Sequence, residues 1–328
     1  MEIKRFEFIL EAAQPIAHAE ESLGNTSVLM RRKVCTPTGR WVRVPCITAD
    51  TMRHGLREAA AFTYLDAAGL LGEALTEAAL RLLFAGGMVT GSAGGSIRLG
   101  DYRTMVDLFP PLALLGGCAQ NRLIPGRMCV DDATLICEEQ AHALPSWVCD
   151  WLAAQSRGLD SARAHVEEAQ RVRMDPTLDP LKRTLLTTEQ DAQIESRLEA
   201  SEQAAPHEDD AGAGRARSSM MPRRYERLAQ GSLFWWGLEA TCVNDLDYDT
   251  LLVMVASFLH AARVGGRRSA GCGLLRPIAG RDVGIRRPSE RAEVLDIGAL
   301  GPRAGVRFRA HVAERAARIA EFLRSVAA

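Results

Sequence analysis

No Cys-x-x-Cys pair occurs among the eight cysteines, at 35, 46, 118, 129, 137, 149, 242 and 272, and no zinc-ligand spacing connects them. Thiols dispersed in this way exclude a disulfide scaffold and are expected to be buried in a reducing cytoplasm, with no metal and no cofactor. No Gly-x-x-x-x-Gly-Lys-Ser/Thr loop is present, so triphosphate hydrolysis has no support. No sign of charge is in excess: 40 Lys and Arg against 41 Asp and Glu leave a net charge of −1, and any polyanion must be met by local patches. No apolar run is long enough to span a bilayer, since the segment 251–262 is too short. Charges interrupt the start, MEIKRFEFILEA, before a signal peptide could form. No internal repeat is visible. What is there, 328 residues with 47% hydrophobic and 25% charged, reads as a folded soluble chain of one elaborated domain or two.

Along the chain, residues 2–12 alternate Phe6, Phe8, Leu10 and Ala12 with Arg5, Glu7 and Glu11, the pattern of a half-buried strand. The runs 28–35 and 40–45 flank Thr36-Pro37-Thr38-Gly39, which predicts a hairpin. Thr48 or Asp50 can cap a helix running on through residues 59–64. A helix over 73–85 leads to a glycine-rich stretch broken by Pro110-Pro111, which suggests an irregular inserted lobe. Strand signals return over 123–137. Between 175 and 221 apolar residues are scarce, and the run 188–210 carries eight acids and one arginine, so an exposed, partly helical excursion is predicted. A strand over 231–243 and helices over 247–262 and 310–326 complete an α+β order, read as an antiparallel sheet with helices packed on one face.

Two stretches carry anion-binding chemistry. Residues 263–273 hold Gly265, Gly266, Arg267, Arg268 and Ser269, and from Arg263 to Arg287 there are seven arginines against one aspartate. Glycines admit close backbone approach and consecutive amides can form a donor nest, so phosphate is the natural partner; a glycine turn with solvated arginines is the plainer reading. Residues 22–49 carry Arg31, Arg32, Lys33, Arg40 and Arg43 with no acid, and lead into a helix where Arg53 and Arg57 share a side. Together with free amides at the helix start these can hold a phosphate chain. Asp50, His54 and Glu58 recur every four residues, and His18 stands near Glu20 and Glu21, but capping and solvation account for both sets without catalysis. Met174, Met220 and Met221 stand among Arg171, Arg173, Lys182, Arg183, Arg223 and Arg224, a pattern in which apolar wedges enter between bases while cations hold phosphates.

In their order these segments resemble the RAMP superfamily of CRISPR proteins, specifically the backbone subunit that polymerises along guide RNA, and most closely its type IV form. The resemblance is carried by Val44 to Arg57 for the family's strand and arginine-glycine helix, and by 265–273 for its late glycine-rich loop. Residues 121–138 look like its G-R-x-x-V-x-D-A strand pair, and Gly231-Ser232-Leu233-Phe234-Trp235 like its G-S-x-F strand. It implies a ferredoxin-like (RRM-like) palm from residues 1–67, 121–165 and 226–328, a fingers lobe over 68–120 and a protruding thumb over 166–225. It also implies RNA contacts from Arg31, Arg32, Arg53, His54, Arg57, Met174, Lys182, Arg183, Met220, Arg223, Gly265, Gly266, Arg267, Arg268 and Ser269. The expected partners are a single-stranded CRISPR guide RNA, further copies of the chain in a helical filament, other effector subunits and a nucleic-acid target, in the cytoplasm and away from membranes. Type III relatives cleave target RNA with an aspartate after the first strand. Residues 13–27 hold Glu20 and Glu21 but no Asp, which points to a non-catalytic subunit; the alternative is a metal-dependent endoribonuclease.

Overall fold

The computed structural model describes residues 1–23, 26–88, 97–119, 121–173, 180–203, 221–282 and 305–325. The chain divides into two compact units: Met1–Glu20, Leu29–Glu167 and Arg227–Ala328 in the first, Glu21–Val28 and Glu168–Glu226 in the second.

The first unit is built on an antiparallel sheet. Its strands are β1 (Glu2–Ala12), β4 (Arg31–Cys35), β5 (Trp41–Ile47), β8 (Met128–Val130), β9 (Ala133–Leu135), β12 (Leu233–Cys242) and β13 (Leu275–Asp282). They run in the order β13-β1-β12-β9-β5-β4, with β8 also on β12, and every pairing is antiparallel. Two short strands, β6 (Gly117–Ala119) and β7 (Arg122–Ile124), pair separately. The hairpin of β4 and β5 and the α+β class therefore stand as the sequence predicts.

Two helices, α1 (Ala49–Ala67) and α8 (Asp245–His260), cover one face of this sheet. Phe6, Phe8 and Leu10 of β1 meet Met52 and Leu56 of α1 and Val255 and Phe258 of α8 in the main core. The expectation of helices on one face alone is corrected by α5 (Ser146–Ala154), whose Val148 and Leu152 pack with Ile9 and Leu233 from the other side. That is why Phe6 to Leu10 are all buried instead of alternating, Glu7 included at 5% exposure. Its carboxylate is satisfied by Arg5 at 3.1 Å and by Trp147 Nε1 at 2.7 Å, as a buried charge requires.

A second core lies on the far side of α1, where Tyr64 and Leu65 meet α2 (Glu77–Ala85), α3 (Leu99–Leu108), α4 (Pro111–Leu115), α9 (Val306–Glu314) and α10 (Ala316–Ser325). Pro110-Pro111 opens α4 instead of breaking the chain, because a proline in the first turn has no amide to waste. The single terminal helix expected over 310–326 is two, interrupted at Arg315. Gly126 lies so close to α4 that a Cβ there would sit 2.6 Å from the Leu114 carbonyl. Its neighbour Arg127 donates to both carboxylate oxygens of Asp247 on α8, at 2.7 and 3.0 Å, and clamps the two helices together.

The second unit contains the four-stranded sheet β10 (Val166–Arg173), β11 (Met221–Leu228), β3 (Thr26–Leu29) and β2 (Ala19–Leu23) in that order, with β11 parallel to β3. It carries α6 (Pro180–Arg183) and α7 (Thr188–Gln203), the helical part of the predicted excursion; residues 174–179 and 204–220 of that stretch lie outside the described residues.

Burial pushes the Cys46 and Cys242 thiols up to about 11 and Cys137 to about 12, which keeps them protonated. Cys129 and Cys149 depart from the expectation of buried thiols and are exposed, one facing outward on β8 and the other on α5.

The helix crossing has little room to spare. A Cβ on Gly55 of α1 would lie 2.5 Å from the Phe258 ring of α8, and that ring is edge-on to Trp236 at 5.6 Å. Gly55→Val is expected to cost about 1–3 kcal/mol by overpacking. Gly100→Ala in α3, where nothing lies within 4 Å, is expected to be neutral or stabilising. Chemical denaturation of both variants checks the contrast, and equal stability would remove the crossing from the account.

Candidate nucleic-acid interface

After β1 the chain is stitched to the late glycine loop. Gln14 N–H donates to Leu274 at 3.2 Å, Gly273 N–H to Pro15 at 2.9 Å and Gly266 N–H to Ala17 at 2.8 Å. Gly265 holds φ +71°, and a Cβ there would fall 2.6 Å from the Ala17 carbonyl, so only glycine fits. Arg267 is itself left-handed at φ 59° and opens a short 3-10 turn, Arg268–Ala270. The amides of Gly266, Ala270, Gly271 and Gly273 all donate to carbonyls of the protein. The expected donor nest is corrected to that extent: these glycines shape the turn, and attraction for an anion comes from the side chains. Arg263, Arg268 and Ser269 are exposed and Arg267 is half-buried.

The start of α1 lies beside the same loop. Thr48 caps it, its hydroxyl accepting from Thr51 N–H at 3.4 Å. The Asp132 carboxylate accepts from Ala49 N–H at 2.6 Å and from Arg32 Nε at 2.9 Å. His18 Nε2 lies 3.3 Å from the Thr48 hydroxyl. Burial holds the His18 imidazole below its ordinary pKa; Arg32 adds to this and Asp132 opposes it. The bond to Asp132 raises Arg32 in turn. The Ala49 and Thr51 amides are thus engaged by protein groups, which to that extent corrects the expectation of free amides waiting for phosphate.

Arg53 and Arg57 also differ from expectation. Both turn towards the end of α4, where Arg53 donates to the Leu115 carbonyl and Arg57 to Leu115 at 3.3 Å and Gly116 at 3.1 Å. Arg57 is only 7% exposed, and burial followed by the neighbouring Arg53 brings its pKa down to about 10. It is a clamp inside the fold and not a surface contact. His54 and Glu58 occupy the adjacent side of α1; His54 is exposed, and Glu58 meets Arg268 at 3.4 Å. A cleft of about 710 Å³ opens next to this pair between α1 and α8, edged by Arg263, Arg268 and Arg309.

The structure therefore joins Arg32, His54, Gly265, Gly266, Arg267, Arg268 and Ser269 through the 13–18 loop and the start of α1, and sets Arg53 and Arg57 apart. Arg31 on β4 is half-buried and donates to the Leu29 carbonyl at 3.3 Å. In the second unit Lys182 and Arg183 lie on α6 and Arg223 on β11. Arg183 donates to Asp191 at 2.6 Å and to Glu195, both on α7. Met174 and Met220 lie outside the described residues. Asp132, which sequence reasoning did not single out, organises the whole corner; its signal is the aspartate of the Gly126-Arg127 to Asp132-Ala133 motif. Among the described residues no three His, Cys, Asp or Glu side chains gather to hold a metal, and no helix is long and apolar enough to cross a membrane.

No protein-family profile matches this sequence, and no curated protein matches it. Among solved structures the chain is similar to a chain of a type IV-B CRISPR complex, with a TM-score of 0.50 and 16% identity over 88% of this chain and 93% of that one. At that identity the likeness is one of fold.

His165, like His18, is held below its ordinary pKa chiefly by burial. Below pH ~6.5 the unfolded chain takes up protons that the folded imidazoles refuse. Stability is expected to be fully present above that pH, to fall as pH drops towards the folded pKa values, and then to level. Thermal unfolding between neutral and mildly acidic pH should show the slope shrinking in His18→Gln and again in the double variant with His165→Gln. An unaltered slope would assign it to other groups.

Proposed function

We propose that the chain is a guide-RNA-binding backbone subunit of a type IV-like CRISPR effector complex, whose copies line up along one RNA and hold it without cutting. The observation that carries this reading is the fold likeness to a chain of a type IV-B CRISPR complex across 88% of the present chain. The cationic corner adds chemistry to it: Arg263, Arg267 and Arg268 lie on or beside a loop that glycines hold in place, next to α1 with its exposed His54. A net charge of −1 is compatible with RNA binding, because each copy needs few phosphate contacts and repetition multiplies them. In this reading the second unit, with Lys182, Arg183 and Arg223, takes the part of the thumb, and the complex works in the cytoplasm.

A role in holding RNA fits the acidic groups near the loop. Glu20 is engaged by Arg43 through both oxygens, at 2.9 and 2.7 Å, which leaves it poorly placed to recruit a metal. The exposed Arg268–Glu58 pair, at 3.4 Å, is worth at most about 1 kcal/mol. A phosphate can therefore displace Glu58 at small cost.

The protein is expected to purify with RNA and to bind labelled single-stranded RNA with strong salt dependence. The Arg267→Ala, Arg268→Ala double variant should lower the log–log salt slope by about 1.4, at about 0.7 for each lost phosphate contact. RNA incubated with Mg²⁺ should stay intact. Cleavage that disappears in Glu20→Ala or His54→Ala would replace this reading with an endoribonuclease. A monomer free of nucleic acid with no salt-dependent binding would remove it.

A further inference from the structure

The β4–β5 hairpin has an inner and an outer face, and the outer one displays an indole. Its register pairs Val34 with Val42 and Arg32 with Val44 on one side, and Lys33 with Arg43 and Cys35 with Trp41 on the other. Val44 is buried, and Val34 and Val42 pack against the main core, so the pleat turns the second set outward. Trp41 is accordingly 67% exposed.

The ribbon that presents it is stiff. Thr36 N–H donates to Arg40 and Gly39 N–H to Thr36, both at 2.8 Å, while the Thr36 hydroxyl accepts from Arg40 N–H at 3.2 Å. Gly39 supplies the left-handed turn residue at φ +78°. A backbone held this firmly has little freedom left to lose when something stacks on the ring it carries.

Charge selects the occupant. Lys33 shares the face with Arg43, which is paired with Glu20, and Arg40 adjoins the indole in sequence, while residues 29–47 themselves contain no acid. Lys33 is exposed and makes no ion pair among the described residues. An exposed π-face on a ribbon that also carries exposed cations suits a base with its own phosphates, the ring stacking on the base and the cations meeting the phosphates.

We propose that Trp41 is a stacking platform for an unpaired base of single-stranded nucleic acid, with Lys33 and Arg40 holding the flanking phosphates. The inference rests on the RNA-binding reading above and adds a contact that recognises bases, without choosing among them, where the glycine loop meets only backbone.

The experiment compares wild type, Trp41→Ala and Trp41→Phe, each full length, binding oligouridylate and an abasic ribose-phosphate oligomer of equal length. Trp41→Ala should weaken oligouridylate binding by about 5- to 100-fold, the range typical of one lost stacked base. Trp41→Phe should weaken it less, and abasic binding should be equal in all three. Crosslinking of 4-thiouridine RNA to the wild type should map to Trp41, which gives an answer even where a variant folds poorly. Unchanged oligouridylate binding with no crosslink at Trp41 overturns the platform and leaves the RNA-binding reading standing. Equal weakening for both oligomers also overturns it, as does a loss of self-association with RNA binding intact, which would mark a protein interface. A wild type that binds neither oligomer fails both readings.

Discussion

An aromatic column runs through the first unit and fixes where its surface lies. Phe8 of β1 stacks on Trp236 of β12 at 5.5 Å, Trp236 meets Phe258 of α8 edge-on, and Phe258 lies against the bare backbone of Gly55 in α1. Four elements distant in sequence are held by rings with almost no exposure to water, the setting in which packing contributes most per atom. The column sets the height of α1 above the sheet, and with it the positions of Thr48, His54 and Glu58. It also fixes α8, from whose end the glycine loop departs. The cationic corner is a surface consequence of that buried stack.

The residues around the corner divide by energy into frame and surface. Removing one partner from a nearly buried ion pair costs about 3–5 kcal/mol, which places Arg127 and Asp247 in the frame. Arg57 belongs there too, since it is buried and its loss leaves the Gly116 carbonyl without its donor. Exposed cations such as Arg268 contribute little to folding and are available to a ligand. Near-identical arginines thus do opposite work according to the water around them.

Much of the scaffold was legible in the sequence, because hydrophobic period and turn chemistry act locally. Strand β1, the hairpin, a cap at Thr48 or Asp50 and the helix over α8 all followed from neighbouring residues, and Thr48 is the cap used. The second face of the sheet was not legible: Ile9 and Glu7 read as one side of an amphipathic strand until α5, more than a hundred residues on, covers them. The site was legible as composition but not as direction. Helical spacing places Arg53 and Arg57 together, yet only the tertiary fold brings the carbonyls of Leu115 and Gly116 to meet them. Asp132 was hidden for the same reason, since its helix-capping and Arg32-pairing roles both lie across long stretches of chain.

The large sheet ends on β4, whose outer rim offers backbone donors and acceptors to any passing strand. Three successive cations, Arg31, Arg32 and Lys33, line that rim. Two such rims approaching each other would bring like charges together at strand spacing, so this margin resists zipping onto its own twin.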